Sequence, residues 1–314
     1  MARTLPIPAQ LKALFRGSLG YSHYIFAATL LVRLISLSRL NSSPFLLPSG
    51  SDMQFYDDWA RQILHGHWSD HRAFYGLPLY PFALAVLYGL FGFSHFVPAL
   101  IQACLEAGTA VLIFKMSVRT FEVTTSSLSR DDRKSKAGRL DTAKIAGIAA
   151  AAGWIFFVPA QAYSIIVMPT AASVFIFWYL VWEILGPSSN PSPRRSLGLG
   201  LLIGFAAMAV ATSLVAIPLA LVAQFARWRA GQSRRLMAPS MLLAGVIVGS
   251  SPCWIHNLAV ARDPVFLSAH GGINFWLGNN PDATGYPRFP GLHAGQSQLL
   301  RDSIGQAEAA TGRE

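Results

Sequence analysis

Apolar runs of membrane-spanning length recur along this chain, and short blocks between them hold most of its arginine and lysine. The runs fall at about 22–40, 97–118, 145–164, 170–185, 197–225 and 236–255, each near or above the length that a hydrocarbon core requires. With 53% hydrophobic residues, 13% charged residues and a mean hydropathy of +0.40, an ordinary soluble domain is excluded. The net charge of +10 sits in the blocks between runs, as in cytoplasmic loops, and no nucleic-acid-binding pattern accompanies it. Cys104 and Cys253 both lie inside apolar runs, so they read as packing residues rather than a disulfide or a metal pair.

Charge also sets an expected topology. Residues 119–144 carry seven basic and four acidic side chains, 186–196 hold Arg194 and Arg195, and 226–235 hold Arg227, Arg229, Arg234 and Arg235. Keeping all three blocks inside makes the apolar 77–93 stretch an outer-leaflet segment and divides 197–225 into two short helices joined near Thr212 and Ser213. The expected fold is an all-α polytopic membrane protein of about seven spans. Its N-terminus would be cytoplasmic, with residues 1–255 as the transmembrane module, a long outer loop at 41–96, a cytoplasmic loop at 119–144 and an extracytoplasmic segment at 256–314.

Directly after the first run comes Ser51-Asp52-Met53-Gln54-Phe55-Tyr56-Asp57-Asp58-Trp59-Ala60-Arg61-Gln62-Ile63-Leu64. Phe55, Trp59 and Ile63 share one face at helical spacing, so a helix lying along the interface is expected, with Asp52 capping its start. Asp52 is the first acid beyond the bilayer, and Tyr56 follows one turn later on the same face. Asp57 and Asp58 read as helix-face carboxylates. His65, His67, Asp70 and His71 crowd together, but their spacing matches no metal motif and a solvated turn is expected. No metal or other cofactor is predicted.

The D-x-x-x-Y of Asp52 and Tyr56, followed by Tyr75-Gly76-Leu77-Pro78-Leu79-Tyr80-Pro81, resembles the membrane glycosyltransferases of the GT-C class. More narrowly, it resembles glycosyltransferase family 39, which groups protein O-mannosyltransferases with aminoarabinose transferases. The string His270-Gly271-Gly272-Ile273-Asn274-Phe275-Trp276-Leu277-Gly278-Asn279-Asn280-Pro281-Asp282-Ala283-Thr284-Gly285-Tyr286 is similar to a loop of the bacterial members at the corresponding place.

The resemblance implies a bundle of GT-C type in a bacterial plasma membrane. It implies an enzyme that moves a sugar, with inversion, from a polyprenyl phosphate to a hydroxyl or amine of a lipid, glycan or protein acceptor on the outer face. Asp52 matches the family's catalytic aspartate and would be the base, with Tyr56 beside it. Arg33, Arg72, His270 and Arg262 are the candidates for the leaving phosphate. Pro78, Tyr80, Asn274, Trp276, Asn279 and Asn280 would form the substrate loops. Arg33 has a second reading as the partner of Glu106 across two apolar helices.

This chain also departs from the family. Val167-Met168-Pro169-Thr170-Ala171-Ala172 carries no acid where a second one is usual, and Ala211-Thr212-Ser213-Leu214 replaces a usual arginine-proline pair. The family continues through further spans, so a fragment is one expectation. The alternatives are a non-catalytic paralogue or assembly subunit that binds polyprenyl-phosphate sugar and, behind it, a transporter of lipid-linked saccharides.

Overall fold

The computed structural model describes residues 20–40, 43, 51–128, 133–186, 192–227, 236–279, 281, 283, 285 and 296–312. These residues form thirteen α-helices and a short 3-10 turn. In chain order the helices are α1 Tyr21–Leu40, α2 Ser51–Leu64, α3 Leu79–Phe91, α4 Phe96–Leu128, α5 Arg133–Ile155, α6 Val158–Tyr163 and α7 Thr170–Ile184. There follow α8 Pro193–Ala207, the 3-10 turn Ala211–Val215, α9 Ala216–Ala226, α10 Met237–Gly249, α11 Ser251–Ala259, α12 His270–Asn279 and α13 Gln296–Thr311.

The all-helical class stands, but the seven-span membrane bundle does not. Among the described residues one helix is long and apolar enough to cross a bilayer, Phe96–Phe121. A second would arise only if α10 and α11, bent by 57°, counted as one span. The physical reason is that the backbone interrupts three of the six apolar runs, and others are too short. The 145–164 run breaks after Ile155, where Pro159 opens the six-residue α6. The 197–225 run is split by the 3-10 turn, at the Thr212–Ser213 position that the charge pattern indicates. Helix α7 is continuous but only 15 residues long, about 22 Å against a hydrocarbon core of about 30 Å. Helix α1 has 20 residues and carries His23, Arg33 and Arg39; it is not among the helices counted as long and apolar enough to cross. The 77–93 stretch yields the 13-residue α3, also too short to cross.

The chain divides into two compact units. The first contains α1, residues 99–165 and 170–182. Its apolar centre is Ile25, Ala110, Phe114 and Ala151, and Gly108 and Gly147 make room for Phe175 and Phe114. Buried beside them is a polar seam of Thr29, Arg33, Gln102, Glu106, Thr109 and Ser164.

The second unit contains residues 43–98, 166–169 and 183–314. Helices α8 and α10 press together through two glycine pairs, Gly200 with Gly204 and Gly245 with Gly249. A methyl group at Gly204 would stand 2.2 Å from the Val246 carbonyl oxygen, and one at Gly200 2.1 Å from that of Leu242. Only glycine permits so close an approach of two backbones. Helices α2 and α3 enclose Ala60, Ile63, Tyr80, Leu84, Ala85 and Tyr88. A neighbouring cluster joins Phe74, Ala207, Met208, Cys253 and Leu267.

Candidate functional site

Helix α2 carries the apolar stripe that its sequence announces, and the protein itself covers that stripe. Phe55 and Trp59 pack edge to face, their centroids 5.5 Å apart, and Trp59 lies 5.7 Å from Phe74. Both rings close over Gly76, where an added Cβ would meet Phe55 at 2.8 Å. The 74–76 segment thus takes the place expected for lipid. Helix α2 begins at Ser51, so Asp52 stands within its first turn, where the helix dipole favours a carboxylate.

What holds the 69–79 segment is a set of bonds to distant parts of the same unit. Asn257 is fully buried; its Oδ1 accepts from the Phe74 N–H at 3.0 Å, and its Nδ2 donates to the Val265 and Leu267 carbonyls at 2.9 and 3.1 Å. His256 stacks on Phe74 at 4.0 Å and shares a 2.7 Å hydrogen bond with the Ser69 hydroxyl. The Cys253 thiol donates to the Leu267 carbonyl, the Ala269 N–H to Phe74 and the Leu79 N–H to Met208. These three bonds from the Asn257 amide to backbone groups register the 74–76 segment against 265–269.

That registration sets Tyr75 against His270, the first residue of α12, with ring centroids 4.7 Å apart and planes at 26°. Asp52 completes the group: its charge acts on Tyr56, Tyr75 and His270. Tyr56 in turn meets Tyr80 edge to face at 5.2 Å. Burial, aided by the Asp52 charge, pushes Tyr56 and Tyr75 up to about 12. Burial lowers His270, and Asp52 only partly opposes it. At neutral pH, then, Tyr56, Tyr75 and His270 are three neutral hydrogen-bond donors within reach of the Asp52 charge. Tyr75 is 6% exposed, and its hydroxyl has no hydrogen-bond partner.

Four of the residues that sequence points to, Asp52, Tyr56, Tyr80 and His270, thus come together. Pro78 is buried at the start of α3, below them in the chain. The other candidates are not members of this group. Arg33 belongs to the first unit, where it donates to the Ile155 carbonyl at 2.8 Å and the Trp154 carbonyl at 3.2 Å, with Glu106 at 3.7 Å. Arg72 and Arg262 are exposed, Arg262 at a left-handed φ of 57°. Along α12, Asn274, Trp276 and Asn279 are all exposed, Phe275 is 73% exposed, and Asn279 bonds back to the Phe275 carbonyl. Asn280 lies outside the described residues. His65, His67, Asp70 and His71 are exposed, and the described residues contain no group of three metal ligands.

Sequence reasoning passed over two residues. Tyr75 carried no separate signal beyond its place in the Tyr75–Pro81 string. Asp57, read as a surface carboxylate, is buried: its Oδ1 accepts from Tyr88 Oη at 2.7 Å and bonds His95 at 3.1 Å, and its Oδ2 accepts from Arg61 Nε at 2.7 Å. Burial alone would raise Asp57, but the bonds from Tyr88, Arg61 and His95 outweigh it and hold the carboxyl below its ordinary range. The clue was position: Asp57 falls one residue after Tyr56, on the face turned to Tyr88.

Compared with protein-family models, with curated proteins and with solved structures, the chain matches none.

Proposed function

We propose that the chain transfers a sugar from a polyprenyl phosphate to an acceptor hydroxyl or amine, with Asp52 as the base. The observation that supports this reading is the convergence of Asp52, Tyr56, Tyr75 and His270, drawn from the separate stretches that carry the resemblance. Asp52 takes the proton of the acceptor as its oxygen or nitrogen attacks the anomeric carbon. The bond from that carbon to the phosphate oxygen breaks, the electron pair leaves with the polyprenyl phosphate, and the anomeric centre inverts. Because Tyr56, Tyr75 and His270 are neutral donors, the departing phosphate is met by hydrogen bonds. Arg33, in the other unit, has its guanidinium turned to carbonyls and Glu106. The work is done at a bacterial plasma membrane, on its outer face, with Phe96–Phe121 as the spanning helix.

A second reading keeps donor binding and drops turnover. It is favoured by the absence of an acid in 167–172. The test is transfer from a panel of radiolabelled polyprenyl-phosphate sugars by purified protein in lipid. Asp52→Asn is expected to retain donor binding and lose about 10²-fold in rate, the scale of a general base, while Asp58→Asn changes little. An active parent with an undiminished Asp52→Asn variant refutes the assignment. A parent that binds donor and never transfers it selects the second reading.

A further inference from the structure

A shallow cleft, open to solvent on one side, lies in the second unit, where the ends of α7 and α9 meet the start of α8. It shares no residue with the Asp52 group. Its polar lining is Glu183, Ser192, Arg195, Ser196, Gln224 and Arg227. Arg195 Nη2 donates to the Glu183 carboxylate at 2.7 Å and to the Glu183 carbonyl at 3.2 Å, closing the end of α7. Ser192 caps α8 by accepting from the Arg195 N–H. Gln224 is 8% exposed; its Nε2 donates to Ser196 Oγ at 3.2 Å, and its Oε1 has no partner.

A buried amide oxygen without a donor is costly, so the cleft calls for one. Two helix C-termini and one N-terminus meet here, with two arginines and one glutamate, so the site offers both signs of charge. A bare anion would face Glu183, and a bare cation would face Arg195 and Arg227. The ligand that satisfies both carries a phosphate and, a few atoms away, an ammonium that still has hydrogens to donate.

We propose that this cleft binds a phosphoethanolamine group, with its phosphate against Arg195 and Arg227 and its ammonium between the Glu183 carboxylate and Gln224 Oε1. The group can belong to a phospholipid or to a free phosphoester. Phosphocholine has the same charges and no donor, which makes it the discriminating control.

Purified full-length protein in detergent is titrated calorimetrically with soluble phosphoethanolamine and phosphocholine, and with short-chain phosphatidylethanolamine and phosphatidylcholine. The ethanolamine form is expected to bind about tenfold or more tightly than its choline counterpart, the scale of one hydrogen bond to a charged group. Saturation by the soluble pair identifies a free compound as sufficient; a preference seen only with the short-chain lipids identifies the lipid as the source. Gln224→Leu is expected to abolish the preference, and Gln224→Glu, which keeps the acceptor, to preserve or sharpen it. Equal affinity for both headgroups, no binding of any of the four, or a folded Gln224→Leu with its preference intact would each overturn the proposal.

Discussion

Tyr75 and His270 stack at 4.7 Å although each lies in a loop-proximal stretch with little structure of its own to hold it. The stack exists because Asn257 and Ala269 fasten the two backbones side by side. It leaves the Tyr75 hydroxyl buried, unpartnered and within the field of Asp52.

This makes Tyr75→Phe a substitution whose effects on stability and on function should separate. The hydroxyl has no bond to lose, so the free energy of unfolding should stay within about 1 kcal/mol of the parent or rise slightly. Transfer, or donor binding if the protein does not turn over, should fall by about tenfold. Urea unfolding and the radiolabel assay measure the two arms. A clear loss of stability would mean that the hydroxyl has a partner in the folded protein.

Asp57 should matter for stability more than its helical position implies. Asp57→Ala strips a buried carboxylate from Tyr88, Arg61 and His95, and should cost about 2–4 kcal/mol. The sign of the pH dependence follows from the lowered folded value. Relative to Asp57→Asn, the parent's advantage should be fully present above the unfolded carboxyl value of about 3.9 and vanish as pH falls through the folded value. Urea unfolding of parent and variant from neutral to strongly acid pH tests this; an advantage that grows on acidification would be the wrong sign.

Two glycines of α8 should respond oppositely to alanine. Gly204→Ala forces a methyl group to 2.2 Å from the Val246 oxygen, so α8 and α10 must separate, at a cost of about 2 kcal/mol or more. Gly198 has nothing within 4 Å of its Cβ position, so Gly198→Ala should stabilise the helix by about 0.5–1 kcal/mol. Thermal unfolding compares them directly, and a harmless Gly204→Ala would contradict the close packing.

Arg33 and Glu106 are buried together at 3.7 Å. Removing either alone strands the other, so Arg33→Met or Glu106→Leu should each destabilise by about 3–5 kcal/mol, with the double variant less damaged than the two losses added. A thermal-unfolding double-mutant cycle reads the coupling; additive losses would mean the two charges act separately in the folded protein.

Local physics was legible in the sequence. Helical spacing announced the stripe of Phe55, Trp59 and Ile63, and the D-x-x-x-Y spacing put Asp52 and Tyr56 on one face, because both depend only on residues a turn apart. The charge pattern also marked the break at Thr212 and Ser213, where the 3-10 turn stands. What it misjudged was the fate of the apolar runs. Hydropathy counts side chains and is blind to where a backbone turns, so Pro159 and the bend before α11 convert spans into short helices.

Only the tertiary structure decided which carboxylate is buried and which hydroxyl is left without a partner. Asp57 differs from Asp58 by one position in sequence, yet one meets Tyr88 and His95 while the other is exposed. Tyr75 and His270 meet because Asn257 bonds three backbone groups from two segments, Phe74 in one and Val265 and Leu267 in the other. Contacts of that kind depend on where the chain returns in space, and no period or motif within a single segment encodes them.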